Sequence, residues 1–332
     1  MKATYQVLSP GDVRACSEHD EFASDLLYGL SQPVKSVASK YLYDETGSRL
    51  FSRIMELPEY YPTRCETEIL LRYSPAIIQA VSGARLNLVE LGAGDGSKTR
   101  ILINELRSQK IDFRYVPIDI SESAVSGLCS NLSRECPEIA VNGLVSDYFV
   151  GVDWLSHQNA ARNLILFLGS NIGNFSPSHQ IQFLSSLWNA LNHGDYVLIG
   201  MDLKKDAAII NQAYNDAQGV TAAFNLNLLS RINRELGGDF DPDQFAYYSA
   251  WDAFDGAVKS CLLSKKSQSI YIDALCRSFF FDAWEPFHTE SSYKFTISDI
   301  RKKARHIGFE VIENYSDARH YFADSLWRVI KQ

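Results

Sequence analysis

The sequence predicts an α/β fold in which a Rossmann-like, mostly parallel sheet carries an N-terminal helical cap and an inserted α+β domain. Three observations support this prediction. Short apolar runs alternate with amphipathic helical patterns between residues 85 and 203. A glycine-rich turn directly follows the first of these runs. Between residues 204 and 285 the pattern changes to one helix followed by alternating segments, which is typical of antiparallel strands.

The composition favours a compact globular protein. Its 332 residues are 46% hydrophobic and 22% charged, enough for a large core and two domains. The 40 acidic residues outnumber 32 basic ones, and this net charge of −8 disfavours a nucleic-acid partner. Membrane spans need about 18 apolar residues, and neither such a run nor a secretory signal is found in the sequence. We therefore expect a cytoplasmic monomer without a membrane partner, and the cysteine and histidine spacings predict no metal site.

Residues 1–80 form the predicted helical cap. Apolar side chains recur at helical spacing between Ile69 and Ile77. Upstream, Thr63 and Glu66 have the spacing of a capping box, which predicts a helix start at this point.

The second predicted domain, residues 81–203, has the alternation of a parallel sheet. Its buried strands are expected at residues 86–91, 113–118, 163–168 and 196–201. Helices are expected at residues 99–106 and 180–191. In such sheets ligands bind at the carboxyl ends of the strands.

Residues 204–289 form the predicted insertion. Phe224, Leu228 and Ile232 mark its helix, and alternating residues around 258–263 and 269–281 mark its strands. The remaining segment, 290–332, is expected to contribute a helix and then a strand pair that returns to the main sheet.

The glycine-rich turn is the first feature with chemical meaning. Gly92, Gly94 and Gly96 alternate directly after the first strand, and glycine lets a backbone turn tightly and approach a ligand. Ser97 replaces the third glycine of a dinucleotide fingerprint, which argues against a nicotinamide-dependent oxidoreductase. Glu90 precedes the turn and disfavours an anionic pyrophosphate. The cationic sulfonium of S-adenosylmethionine suits this environment better.

Two further carboxylates support a nucleoside cofactor. Asp119 ends the second strand, where a carboxylate can accept hydrogen bonds from both ribose hydroxyls. Asp147 precedes Tyr148, so that a carboxylate suited to the adenine amino group lies beside an aromatic ring. Each of these acids alone is more typical of a turn, but their order along the predicted sheet favours cofactor binding.

With these motifs the chain resembles the histidine-specific S-adenosylmethionine-dependent methyltransferases. The resemblance extends over nearly the whole chain, and the segment Pro-Glu-Tyr-Tyr-Pro-Thr-Arg at 58–64 is its most specific part. Other matching segments lie at 41–44, 167–174, 219–225, 232–235 and 290–294. The resemblance implies a class I methyltransferase fold, S-adenosylmethionine as cofactor, and Nα-trimethylation of L-histidine to hercynine, a step of ergothioneine biosynthesis.

The resemblance also implies roles for individual residues. The cofactor is expected to contact Gly92, Lys98, Asp119, Asp147 and Tyr148. The amino acid backbone, or a water beside it, is expected to contact Tyr60, Asn174 and Tyr214. Glu290 and Ser292 are expected to hold the imidazole, with Phe224 packed on the ring and Tyr43 and Phe51 near the reacting nitrogen. Tyr43 and Asn174 are the residues expected to take part in catalysis.

Residue chemistry is consistent with these roles. A carboxylate at Glu290 accepts from one imidazole N–H, and the Ser292 hydroxyl can serve the other nitrogen. No histidine or cysteine is expected at the site, so the amine proton must leave through Tyr43 or a water chain.

One departure from the family pattern leaves alternatives open. Ser260 stands where some relatives carry methionine, and a smaller side chain there leaves room for a larger ring. The alternative substrates are another aromatic amino acid such as tryptophan, or a histidine derivative. A non-catalytic S-adenosylmethionine-binding protein is the alternative of another class.

Overall fold

The computed structural model describes residues 4–8, 18–83, 85–156 and 161–331. Residues 1–3 and 9–17 of the predicted cap lie outside the described residues. The described strands, in chain order, are β1 (Thr4–Val7), β2 (Leu86–Leu91), β3 (Phe113–Asp119), β4 (Ala140–Val145), β5 (Arg162–Phe167), β6 (Tyr196–Asp202), β7 (Phe245–Asp252), β8 (Ala257–Ser264), β9 (Gln268–Ile272), β10 (Arg277–Phe281), β11 (Pro286–Tyr293), β12 (Phe309–Ser316) and β13 (Phe322–Val329). The described α-helices are α1 (Glu18–Leu30), α2 (Glu45–Glu56), α3 (Tyr61–Val81), α4 (Thr99–Ser108), α5 (Glu122–Glu135), α6 (Tyr148–Ser156), α7 (Pro177–Ala190), α8 (Ala207–Tyr214), α9 (Val220–Leu236) and α10 (Ile297–Ile307).

The main sheet contains eight of the described strands, in the order β1-β4-β3-β2-β5-β6-β13-β12. Neighbours from β1 to β6 run parallel, while β13 is antiparallel to both β6 and β12. All residues of β2 and β6 are buried, and their near-continuous apolar runs reflect a sheet covered on both faces. This topology confirms the predicted α/β fold with a Rossmann-like, mostly parallel sheet.

The edge strand β1 corrects the helical interpretation of the N-terminal region. Residues 4–7 pair in parallel with β4, and all four are exposed. Because an exposed edge strand of four residues has no apolar alternation, the sequence pattern could not reveal it.

The chain divides into two compact units. The first comprises residues 1–11, 62–204 and 294–332, and the second comprises residues 12–61 and 205–293. These boundaries differ from the predicted domain boundaries after residues 80 and 289. Almost all of α3 therefore belongs to the first unit, where its Tyr73 ring lies 5.2 Å from the Tyr315 ring of β12.

The start of α3 also corrects the expected capping box. The helix begins at Tyr61, so Thr63 already lies in its first turn. The Glu66 carboxylate accepts hydrogen bonds from Lys98 and from the Gly169 N–H, which are distant in sequence. Spacing alone could not distinguish a capping glutamate from one that makes tertiary contacts.

The second unit contains two small antiparallel sheets, ordered β11-β8-β7 and β10-β9. In the first sheet the register of β11 against β8 shifts between His288 and Glu290, which is a β-bulge. Helix α9 lies between two left-handed glycines, Gly219 and Gly237. Of the helices that the structure describes, none combines the length and apolar character needed to cross a membrane.

Candidate active site

The glycine loop connects β2 to α4 in the first unit. Its three glycines have left-handed φ values of 77°, 51° and 68°, which only glycine adopts without strain. A Cβ at Gly92 would lie 2.8 Å from the Tyr148 hydroxyl and 3.1 Å from Asn171 Nδ2, whereas a Cβ at Gly94 would meet nothing within 4 Å. The space next to Gly92 is therefore filled by Tyr148, whereas the space next to Gly94 is empty and forms the open part of the loop.

Glu90 lies just before this loop and is buried. Its two carboxylate oxygens accept hydrogen bonds from the hydroxyls of Thr99 and Tyr115. Burial raises the pKa of Glu90 to about 7, against the opposing effect of these two donors and of Lys98. The carboxylate thus helps to fix the start of α4 to the sheet.

Asp119 extends from the end of β3 to the glycine loop. One carboxylate oxygen accepts a hydrogen bond from the Gly94 N–H at 3.0 Å, and the other accepts from the Ser121 N–H at 2.9 Å. Burial raises the pKa of Asp119, although the backbone donors oppose this shift. The predicted ribose-binding carboxylate therefore lies directly beside the open part of the loop.

Asp147 lies between β4 and α6, and Tyr148 is the first residue of α6. The exposed Asp147 carboxylate accepts from the backbone N–H groups of Phe149 and Val150, at 2.7 and 3.0 Å. The Tyr148 ring packs edge-on against Phe167, with 5.2 Å between the centroids. Asp147 caps the helix, so its contact with adenine stays a prediction.

Lys98 ends the glycine loop on the side of α3. Its ammonium forms an ion pair with Glu66, whose side chain is completely buried. Burial lowers the pKa of Lys98, but the charge and hydrogen bond of Glu66 outweigh this effect and raise it. Lys98 is therefore charged, and the structure places it against Glu66 and near Gly169.

Asn174 lies in a short 3-10 helix, Asn171–Asn174, that follows β5. The turn before it contains two consecutive left-handed residues, Gly169 and Ser170. The Ser170 hydroxyl accepts a hydrogen bond from the Asp202 N–H at 3.0 Å. This turn fixes the position of Asn174, which is half-buried.

Five predicted substrate residues form a continuous aromatic cluster in the second unit. The Tyr43 ring lies 5.4 Å from both Phe51 and Phe224, and Phe51 lies 6.2 Å from Tyr60. Tyr60 in turn lies 6.4 Å from Tyr214. The structure thus brings together residues that are 181 positions apart in the chain, from 43 to 224.

Asp44 holds the N-terminal part of this cluster in place. It caps α2 by accepting from the Gly47 N–H and also accepts from Asn227 and Arg234 of α9. Burial raises the pKa of Asp44, but these hydrogen bonds outweigh it and the net effect is a lowered pKa. The ionised carboxylate therefore fastens α2, and with it Tyr43, to α9.

Glu290 and Ser292 lie on β11 just after the bulge. The bulge is held by Thr289, which donates to Asn225 Oδ1 at 2.6 Å. Two residues apart on one strand, Glu290 and Ser292 share a face, and the Ser292 hydroxyl bonds that of Tyr214 at 2.9 Å. The bulge therefore directs both predicted imidazole-binding groups toward α8.

Ser260 is paired with Glu290 across strands β8 and β11. Its hydroxyl lies 3.2 Å from the Tyr247 hydroxyl, which donates to the Tyr214 carbonyl at 2.9 Å. A tyrosine has one hydroxyl proton, so Ser260 donates to Tyr247. Ser260 is thus part of a polar network beside Glu290.

Sequence reasoning did not identify several residues that build these sites, namely Asp44, Asn225, Tyr247 and Thr289. Their roles depend on contacts between distant segments. Two of them, Asn225 and Asp44, lie in the segments 219–225 and 41–44 that resemble the family. The sequence did not indicate what these two residues contact.

The strand order of the main sheet and the glycine loop after β2 define this protein as a class I methyltransferase. In the main sheet, the seven strands from β4 to β12 have the relative chain order 3-2-1-4-5-7-6 with the seventh antiparallel. The family described as "Histidine-specific methyltransferase, SAM-dependent" matches residues 22–329. The chain belongs to this family, and its cofactor is S-adenosylmethionine.

Three relatives illustrate the similarity. A protein of Mycolicibacterium smegmatis named histidine N-alpha-methyltransferase is 36% identical and covers 94% of this chain and 96% of its own. One of the same name from Mycobacterium tuberculosis is 37% identical over 93% and 95%. Ergothioneine biosynthesis protein 1 of Schizosaccharomyces pombe is 27% identical over 83% of this chain and 37% of its own.

The first unit has the chemistry that this cofactor requires. The bare backbone at Gly94 leaves space for a ligand, and the Asp119 carboxylate is beside it. Carboxylates suit hydroxyl donors and a sulfonium charge, and Tyr148 provides an aromatic surface. The residues present therefore fit S-adenosylmethionine.

Proposed function

We propose that this enzyme transfers three methyl groups in succession to the α-amino nitrogen of L-histidine, which gives hercynine. The observation that carries the proposal is the common face of Glu290 and Ser292 on the bulged strand β11. Membership of the histidine-specific family and the names of two relatives support it.

The imidazole of histidine needs two different polar partners. A neutral imidazole has one N–H donor and one acceptor nitrogen. Glu290 accepts from the N–H, while the Ser292 hydroxyl donates to the other nitrogen and accepts from Tyr214. A ring without a second polar nitrogen would leave one of these groups unpaired, which costs about 1–3 kcal/mol.

The amino acid head group is assigned to Tyr60, Asn174 and Tyr214. The Asn174 amide offers both a donor and an acceptor, so it can bind an amine and a carboxylate. The Tyr214 carbonyl is held by hydrogen bonds from Tyr247 and Ser249, which fix the end of α8.

Methyl transfer depends mainly on alignment. S-adenosylmethionine supplies an electrophilic methyl carbon on its sulfonium. The residues of this chain must hold the amine in line with that carbon and must accept its proton. We assign the proton path to Tyr43, directly or through water. The faces of Tyr43, Phe51 and Phe224 suit a product that gains a permanent positive charge.

Tyr43→Phe tests the direct role of Tyr43. Because the ring and its contacts remain, we expect substrate binding to change little and the single-turnover methylation rate to fall about tenfold or more. An unchanged rate would leave the water chain as the proton path.

A panel of amino acids tests the substrate. Purified enzyme with S-adenosylmethionine is offered histidine, its mono- and dimethylated forms, tryptophan, tyrosine and phenylalanine, and the products are weighed by mass spectrometry. A gain of three methyl groups on histidine, with faster turnover than any other amino acid, supports the proposal. Comparable turnover of tryptophan would contradict it and would favour the larger pocket expected at Ser260.

Two controls complete the experiment. S-adenosylhomocysteine binding shows that the protein is folded and competent, so cofactor binding without any product would indicate a non-catalytic binding protein. Light scattering after size-exclusion chromatography tests the predicted monomer. The cytoplasmic location and the lack of a nucleic-acid partner stay predictions from the sequence.

A further inference from the structure

A buried acidic pair lies beneath the glycine loop in the first unit. Asp324 of β13 and Glu66 of α3 are both 0% exposed. Asp324 pairs in register with Gly200 of β6, and a Cβ at Gly200 would lie 2.1 Å from Glu66 Oε1. Glycine at this position therefore makes the space in which the Glu66 carboxylate lies over the sheet beside Asp324.

The two carboxylates have very different partners. Glu66 accepts from the Lys98 ammonium and from the Gly169 N–H, which lies 2.7 and 3.0 Å from its two oxygens. Within the described part of the chain, neither oxygen of Asp324 meets a hydrogen-bond donor. A buried carboxylate with no donor is unfavourable, whereas a protonated carboxyl can donate to a neighbouring carboxylate.

The surrounding charges favour this protonated form. Burial raises the pKa of Asp324 well above its ordinary value, and the charge of Glu66 and a hydrogen bond with it raise the pKa further. Lys98 is the cation that opposes this shift. Two more titratable groups lie nearby: Glu90 of β2, which interacts with Lys98, and Tyr315, which pairs with Asp324 across β12 and β13. Neither supplies a second positive charge.

We propose that Glu66 and Asp324 share one proton, and that this acid pair positions Lys98 and the turn at Gly169 for cofactor binding. Asp324 donates to Glu66, which leaves Glu66 as the single anion that holds the Lys98 ammonium and the Gly169 N–H. Both are positioning residues and make no contact with the reacting atoms.

The position of the pair explains how it acts on the cofactor site. Lys98 is the last residue of the glycine loop, and Gly169 begins the turn that leads to Asn171 and Asn174. Asn171 Nδ2 lies near Gly92 at the other end of the same loop. Glu66 therefore connects the two segments that border the glycine loop, and Asp324 keeps Glu66 in the required orientation.

Infrared spectroscopy of the free protein tests the shared proton directly. At pH 9, where Glu90 with its pKa of about 7 is ionised, we expect the carbonyl stretching band of a buried protonated carboxylic acid, which disappears in Asp324→Asn. Glu90→Gln is the matched control, because Glu90 is the other fully buried acid next to Lys98. If the band is lost in Glu90→Gln and retained in Asp324→Asn, the proposal is overturned.

Cofactor affinity tests the positioning role. Loss of a hydrogen bond to a charged group weakens binding by about tenfold or more, and we expect this for S-adenosylhomocysteine with Asp324→Ala and Glu66→Gln. Asn keeps the shape and a donor, so Asp324→Asn should restore the affinity to within about threefold of wild type. Calorimetry is done at a temperature where circular dichroism shows each variant folded.

These outcomes separate the proposal from its alternatives. If Asp324→Asn weakens binding as much as Asp324→Ala, Asp324 is ionised and the shared proton is wrong. If Asp324→Ala lowers only the melting temperature and leaves the affinity unchanged, the pair is merely structural. The inference rests on the cofactor and not on histidine, so a different substrate in the amino acid panel would leave it intact.

Discussion

The residues predicted to bind the cofactor in the first unit and those predicted to bind the substrate in the second have different chemistry. Lys98, Asp119 and Glu90 are charged or titratable groups, and each is held by specific hydrogen bonds. The predicted substrate residues of the second unit, called the substrate group below, are Tyr43, Phe51, Tyr60, Tyr214, Phe224, Glu290 and Ser292. They provide aromatic rings and hydroxyls around a single carboxylate, that of Glu290. The first unit therefore depends on charge pairing, and the second depends on ring packing and the direction given by one bulge.

Glu290→Ala should have the largest effect. The variant removes the only carboxylate in the substrate group, so imidazole loses its charged acceptor. We expect kcat/KM for histidine to fall about a hundredfold or more, with an unchanged Kd for S-adenosylhomocysteine. Steady-state kinetics and calorimetry measure the two effects. Asp282→Asn, an exposed change in the same unit, is the control, and equal losses in both variants would contradict the assignment of Glu290.

Glu90→Gln should alter the pH dependence of stability. The pKa of Glu90 is about 7 in the folded protein and has its ordinary value of 4.5 in the unfolded chain. Between pH 4.5 and pH 7 the folded state therefore binds more protons than the unfolded state. Its contribution to stability is thus greatest below pH 4.5, falls as the pH rises to about 7, and then stays constant. The full change is on the order of 3 kcal/mol.

Urea unfolding at pH 5 and pH 8 measures this difference. The loss of stability between the two values should be smaller in Glu90→Gln than in wild type. The exposed change Glu310→Gln should keep the wild-type loss. If Glu90→Gln also keeps it, burial does not hold Glu90 in its protonated form.

The contrast between the units also explains what the sequence could predict. The sheet was predictable because β2 and β6 are near-continuous apolar runs, and the glycine loop follows β2 directly. The aromatic cluster came only from the family resemblance, since Tyr43 and Phe224 meet through the packing of α2 on α9. The bulge at Thr289 has no signal in a single sequence.

Charged residues were the hardest to interpret. Glu66 has the spacing of a capping box with Thr63, yet it pairs with Lys98 and the Gly169 N–H. Asp324 lies in β13 next to Ser325, and no local pattern marks either residue as special. Glu66 and Asp324 both depend on contacts between distant segments, which local patterns cannot show.

Gly94→Ala and Gly96→Ala separate cofactor binding from stability within the glycine loop. Both positions have left-handed φ, so alanine costs about 1–2 kcal/mol at each. A Cβ at Gly96 would also lie 2.6 Å from Leu128 Cδ1, while one at Gly94 meets open space. We expect Gly96→Ala to lower the melting temperature more.

Cofactor affinity should show the opposite order. Gly94 borders Asp119 on the open side of the loop, so Gly94→Ala should raise the Kd of S-adenosylhomocysteine about tenfold. Calorimetry and thermal unfolding of the same samples provide both values. An unchanged Kd in Gly94→Ala would place the cofactor away from the open part of the loop.

The smallest expected effect concerns the hydroxyl pair of Tyr214 and Ser292. Tyr214→Phe keeps the ring beside Tyr60 and removes a hydrogen bond between two neutral groups, so kcat/KM for histidine should fall about two- to tenfold. Ser292→Ala removes the same bond and also the group assigned to imidazole, so it should cost more. In a double-mutant cycle the two changes should couple by about 1 kcal/mol, because either one already breaks their shared bond. Strict additivity would mean that the two hydroxyls act independently on the substrate, and the hydrogen bond between them would then contribute nothing to histidine turnover.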